Sequence, residues 1–219
     1  VHYYGPTKSR AETILDTTTN TITDMSKLLG ISEVQPITVV AYNNVRHMSS
    51  ALPKRAAAVS QDLVTEGTAW PDKRTVLVMA FGETFAGITA HEVMHVLIHD
   101  AAKHVYAAIP TWLNEGLAEY LSMNWDTEAD MIIRDLAINE RIPTIRELEY
   151  FLAYKGGQSV WRFIATKYGR EKIGEIFQSM KRYGDAQKGF ENAIGMDFEE
   201  LTEQWHKYIK KEYFPDVEG

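Results

Sequence analysis

The segment His91-Glu92-Val93-Met94-His95 constrains this chain most, because it lies inside a largely apolar run over residues 85–100. An apolar run that carries one polar stripe predicts a buried helix. Residues four apart on a helix lie on one face, so both imidazoles can approach one ion, with Glu92 beside them. This spacing is typical of zinc sites in hydrolases. We therefore expect a metal-binding helix that carries a candidate general base.

A third protein ligand is needed, because catalytic zinc sites combine three protein donors with one open position. His99 continues the spacing, but four helical residues rise about 6 Å, so three such histidines cannot all reach one ion. His104 would match the third histidine of metzincins, which require a glycine turn where this sequence continues its apolar helix. Glu115 lies in a second helical pattern over 111–120, which Pro110 can begin. We predict that Glu115 completes a His₂Glu site.

Two motifs together carry a family resemblance. HEVMH followed by WLNEGLAEY resembles the gluzincin clan of zinc peptidases, which includes thermolysin-like enzymes. It is most similar to the peptidase-MA-like group, which shares a W-L-x-E-G-x-A-E-Y signature with aminopeptidase-N-type enzymes. The resemblance covers residues 75–120 and implies zinc held by His91, His95 and Glu115, with Glu92 as general base. It also implies that Glu119 orients a ligand histidine.

Two segments depart from the aminopeptidase pattern. Those enzymes carry G-x-M-E-N, whose glutamate holds the substrate amino group, whereas this chain has Ala80-Phe81-Gly82-Glu83-Thr84. Glu83 is better explained by the preference for acidic residues at a helix start. They also carry Y-x-K-G, which supplies a tyrosine to the oxyanion, and residues 154–157 offer a version one residue shorter. Tyr154 is the candidate oxyanion donor; the alternative is a loop tyrosine before a helix.

Composition limits the classes of partner. The 219 residues carry a formal net charge of −7 and no cysteine, which excludes disulfides and thiolate metal sites. The sequence pI near 5.5 disfavours nucleic acid and anionic membranes as main partners. The family resemblance implies a peptide or protein substrate. No apolar run reaches the ~18 residues that span a bilayer. The chain begins at Val1, so removal of a signal or anchor segment is compatible with the sequence, and an extracellular, membrane-anchored or cytoplasmic location stays open.

The pattern along the chain predicts an α+β fold, with a small mixed sheet and an active-site helix followed by a helical C-terminal lobe. The family resemblance implies that this fold is zincin-like. We place the catalytic lobe at 1–125 and the helical lobe at 126–219. The predicted elements are a helix over 7–29, strands over 36–42, 56–60 and 75–80, a loop over 63–73, and helices over 128–139, 159–168, 170–183 and 198–213. Glycines at 156–157 are expected to separate helices, and six aromatic side chains at helical spacing are expected in the core.

These features predict metal-assisted hydrolysis of peptide bonds, with endopeptidase action favoured. Two alternatives remain open at this stage. An aminopeptidase is disfavoured by the missing G-x-M-E-N segment. A zinc-binding scaffold or adhesion module without turnover is disfavoured by Glu92, since a purely structural site has no use for a carboxylate at the open position.

Overall fold

The computed structural model of the chain describes residues 1–4, 8–52, 66–123 and 125–214. The chain divides into two compact units. The first comprises Val1–Lys27 and Ile31–Asp100, and the second comprises Leu28–Gly30 and Ala101–Gly219. The fold is α+β, as expected: one small mixed sheet precedes a C-terminal part in which the described residues form helices only.

The first unit contains the four-stranded sheet. Its strands are β1 (His2–Tyr4), β2 (Thr38–Tyr42), β3 (Gly67–Trp70) and β4 (Thr75–Met79). They lie in the order β1-β2-β4-β3, with β3 antiparallel to β4 and the other neighbours parallel. Residues 76–79 of β4 are all buried, as expected for a strand with neighbours on both sides.

Two of the predicted strands are confirmed and one predicted loop is wrong. The strands expected over 36–42 and 75–80 form β2 and β4, each slightly shorter than predicted. The loop expected over 63–73 is wrong in its described part, because β3 and a 3₁₀ turn occupy it. A four-residue strand that starts at a glycine has too little alternation to detect, and its pairing with β4 stabilises it. The strand expected over 56–60 lies outside the described residues.

Among the described residues of the first unit, three helices begin: α1 (Lys8–Leu28), α2 (Val45–Ala51) and α3 (Phe85–Ala102). The predictions over 7–29 and 85–100 are confirmed by α1 and α3 over their described residues. The short α2 was not predicted; it starts where the Asn44 side chain accepts a hydrogen bond of 2.8 Å from Arg46 N, a typical N-cap.

Two arginine side chains hold the part of α3 that belongs to the first unit, one at each end. Arg74, just before β4, donates from Nη1 to Asp100 Oδ1 at 2.6 Å. Arg10 of α1 donates to the Ala80 carbonyl at 2.8 Å and lies over the Phe85 ring at 5.2 Å. Because strand, connecting loop and helix are held together at these points, the segment that carries the two histidines has a defined position in its unit.

The second unit is helical. Its helices are α4 (Thr111–Met123), α5 (Thr127–Ile138), α6 (Phe151–Tyr168), α7 (Lys172–Tyr183), α8 (Ala186–Ile194) and α9 (Phe198–Tyr213). The four helices predicted after residue 120 are all found. One prediction is wrong: Gly156 and Gly157 lie inside α6 and do not separate helices. No helix in the described part of the chain is long and apolar enough to cross a lipid bilayer.

An aromatic cluster forms the core of the second unit, as predicted. Its members are Trp161, Phe163, Phe177, Phe190, Phe198 and Trp205, each at most 4% exposed. Four of these rings contact one another in series, with centroid distances of 6.5 Å for Trp161–Phe177, 5.7 Å for Trp161–Phe190 and 5.4 Å for Phe190–Phe198. The two indole N–H groups are satisfied, since Trp161 donates to the Leu113 carbonyl and Trp205 to Ser159 Oγ, each at 3.0 Å. The first of these bonds joins α6 to α4.

Candidate metal centre

The two histidines of α3 point their outer ring nitrogens at each other. His91 Nε2 and His95 Nε2 are 3.1 Å apart, and the ring centroids are 4.8 Å apart with planes at 81°. Both residues are only 8% exposed. Two buried imidazoles that converge on one point through Nε2 have the geometry of a pair of metal ligands.

Glu115 joins this pair. One ligand atom from each of His91, His95 and Glu115 lies within 4.8 Å of the other two, so the three could hold one ion. Donor atoms arranged tetrahedrally around zinc at about 2.0–2.2 Å are roughly 3.3 Å apart, so a small side-chain adjustment suffices. Two imidazole nitrogens and one carboxylate oxygen are a donor set that suits zinc. The residues present therefore fit the expected ion.

The other residues considered from the sequence, His99, His104 and Glu83, lie outside the group of three ligands. His99 is half-buried, and its Nδ1 is 4.0 Å from Asp100 Oδ1. His104 is exposed on a 3₁₀ helix formed by Lys103–Ala108. Glu83 is exposed and lies two residues before Phe85, the first residue of α3, and the first turn of that helix contains no acidic residue.

Glu115 belongs to a helix whose position in the second unit is set by glycine. A Cβ on Gly116 would meet the backbone of Gly157 and lie 2.7 Å from Gln158 N. A Cβ on Gly157 would meet the Trp112 carbonyl oxygen and lie 2.9 Å from Gly116 Cα. The backbones of α4 and α6 can approach this closely only because both positions lack a side chain. The glycine in the E-G-x-A-E motif thus fixes the helix that presents Glu115.

Lys155 of α6 is a buried cation that sequence reasoning missed. Its Nζ lies 3.2 Å from Glu119 Oε2, 3.1 Å from Asp126 Oδ2 and 3.3 Å from Glu128 Oε2. The lysine and Glu119 side chains are 9% and 12% exposed. We call Lys155 and these three carboxylates the Lys155 cluster. Its sequence signal is the lysine of the Y-x-K-G-like segment, next to Tyr154.

The electrostatics of the Lys155 cluster favour the charged forms of Lys155 and Asp126. Burial alone would lower the pKa of Lys155, but the carboxylates of Glu119 and Asp126 outweigh it and raise that pKa. Burial alone would likewise raise the pKa of Asp126, but the Ala129 N–H and the Lys155 ammonium hold it below its ordinary value. Asp126 also caps the N-terminus of α5, because its Oδ1 accepts a hydrogen bond of 2.7 Å from Ala129 N.

Tyr154 and Glu92 complete the set of predicted residues. Tyr154 is half-buried in the first turn of α6, so the alternative of a loop tyrosine is wrong. Glu92 is half-buried on α3, and its Cγ and Oε1 border Gly67 at the start of β3. Gly67, like Lys155, was not identified from the sequence.

The sequence matches a known protein family. A family model described as the Peptidase MA superfamily matches residues 17–211, which is most of the chain. The chain has no significant match among curated proteins.

Proposed function

The chain belongs to the Peptidase MA superfamily, and from this premise we propose that it is a zinc-dependent endopeptidase of the gluzincin type. The observation that carries the proposal is the grouping of His91, His95 and Glu115, whose ligand atoms lie within 4.8 Å of one another. Three protein donors leave one tetrahedral position open, as a catalytic zinc site requires.

Zinc at this site would polarise the scissile carbonyl and lower the pKa of a coordinated water towards about 7. Glu92 follows His91 on α3 and is offset from it by about 100°, so its carboxylate borders the site without being a ligand. Glu92 takes a proton from the attacking water as the new C–O bond forms, and it delivers that proton to the amine as the C–N bond breaks.

Two further residues assist this reaction in our proposal. Tyr154 donates a hydrogen bond to the oxyanion that develops on the carbonyl oxygen. Glu119 lies one helical turn after Glu115 and accepts a hydrogen bond from a ligand imidazole, which fixes the ring orientation. The ammonium of Lys155 supports this role, because it lies 3.2 Å from Glu119 Oε2 and holds that carboxylate in place.

The proposal is tested by metal analysis combined with peptide cleavage. Purified protein should carry one zinc per chain, lose cleavage on chelation, and regain it when zinc is restored. Peptides blocked at the amino terminus should be cleaved as fast as free ones, because an endopeptidase does not need a free amino group. Cleavage of free peptides only would identify an aminopeptidase, and stoichiometric zinc without any cleavage would identify a binding module.

The ligand set has its own test. Glu115→Ala removes a proposed ligand, whereas His99→Ala removes a histidine of the same helix as His91 and His95 that lies outside the grouped ligands. Zinc occupancy measured by elemental analysis should fall strongly in the first variant and stay near that of the parent in the second. Equal losses would show that the third ligand is wrongly assigned.

A further inference from the structure

β3 lies at the edge of the sheet among the described strands, and its first residue faces the proposed general base. A Cβ built on Gly67 would lie 2.8 Å from Glu92 Cγ, 2.9 Å from Glu92 Oε1 and 2.7 Å from Ile88 Cγ2. Separations below 3.0 Å are not tolerated by real Cβ atoms. Any residue other than glycine would therefore move either the strand or the Glu92 side chain.

The backbone N–H and C=O groups of Gly67 also point away from β4. Gly67 pairs with Val78, and the neighbouring Glu66 accepts a hydrogen bond of 2.7 Å from Met79 N. Residues of an antiparallel strand point their N–H and C=O groups alternately towards one neighbour and then the other. Because Glu66 points towards β4, Gly67 and Ala69 point their backbone groups to the outer edge. An added extended segment can form hydrogen bonds there.

We propose that Gly67 is a positioning residue of the reaction: its missing side chain lets the outer strand lie directly against Glu92. This inference rests on the proposed function, since it takes Glu92 as the base. An extended peptide segment paired with Gly67 then passes beside the Glu92 carboxylate, which sets the distance between the base and the bond to be cleaved. A displacement of about 1 Å at such a point can cost on the order of 10²-fold in rate.

The first test compares Gly67→Ala with Thr68→Ala. Thr68 is the matched control, because successive strand residues point to opposite faces and its side chain points away from Glu92. Gly67→Ala should bind one zinc per chain with the affinity of the parent, while kcat on a blocked peptide falls by about 10²-fold. Thr68→Ala should keep both zinc binding and turnover. A Gly67→Ala protein with the turnover of the parent would overturn the proposal.

The second test measures the contact without using activity. Thermal denaturation of the zinc-loaded parent, Gly67→Ala, Glu92→Ala and the double variant forms a cycle. The alanine at 67 should lower Tm less when Glu92 is already shortened, by at least about 2 °C, because one source of steric conflict is gone. Equal losses in both backgrounds would overturn the role of Gly67 and leave the proposed function intact. A parent that cleaves no peptide would instead reject the proposed function, and with it the part of Gly67 in turnover.

Discussion

Lys155 Nζ lies 3.2 Å from Glu119 Oε2, and both side chains are almost completely buried. Glu119 follows the proposed ligand Glu115 by one helical turn, so the ion pair connects α6 to the part of α4 that carries this proposed ligand. Removing one partner of a buried pair leaves a charge in a poorly solvated environment, which costs far more than losing an exposed pair.

The first prediction concerns stability. Lys155→Met keeps most of the apolar stem but removes the ammonium from the Lys155 cluster, so the free energy of unfolding should fall by about 3 kcal/mol. Lys172→Met is the matched control, because Lys172 pairs with Glu175 on the surface and its loss should cost no more than about 1 kcal/mol. Urea denaturation measures both. Similar losses in the two variants would show that the buried position of Lys155 gives it no special importance.

The second prediction concerns pH. The pKa of Asp126 is lower in the folded chain than its unfolded value of about 3.9. A depressed carboxyl pKa adds stability above the unfolded pKa, and this stability is lost as the pH falls through the folded pKa. Asp126→Asn should therefore be less stable than the parent near neutral pH, and the difference should shrink as the pH falls below about 4. Melting temperatures of the parent and Asp126→Asn, measured between pH 7 and pH 3, test this prediction. A difference in melting temperature that does not change with pH would contradict it.

The third prediction concerns zinc affinity. Glu119→Ala should weaken zinc binding by about 10- to 100-fold, because the ligand imidazole loses the carboxylate that orients it. Glu128→Ala removes another carboxylate from the Lys155 cluster, but one that is 64% exposed, and its zinc affinity should stay near that of the parent. Competition with a chromophoric chelator measures both affinities. The same loss in both variants would assign the effect to the cluster as a whole and not to Glu119.

The sequence predicted the histidine pair because the pattern is local. Helical spacing places His91 and His95 on one face whatever surrounds them. Glu115 could be named because its helix has a recognisable start at Pro110, and the structure groups it with the pair. The apolar runs that became β2, β4, α1 and α3 were detectable for the same reason, since each carries its own periodicity.

The features that sequence analysis missed depend on contacts between distant segments. Gly156 and Gly157 resemble a helix break because glycine has a low helix propensity, yet close packing against α4 outweighs that preference. β3 is too short to show an alternating pattern. The role proposed for Gly67 depends on its contact with Glu92, which lies 25 residues further along the chain. The burial of Lys155 requires three carboxylates from two other segments, which no local pattern shows.

The central claim is that Glu92 performs chemistry at a metal site, and Glu92→Gln tests it most directly. The substitution keeps the shape of the side chain and removes the base, so zinc content and melting temperature should stay near those of the parent. Turnover of a blocked peptide should fall by at least about 10²-fold, the lower range for general acid–base catalysis. A Glu92→Gln protein that binds one zinc and cleaves the peptide as fast as the parent would contradict the account.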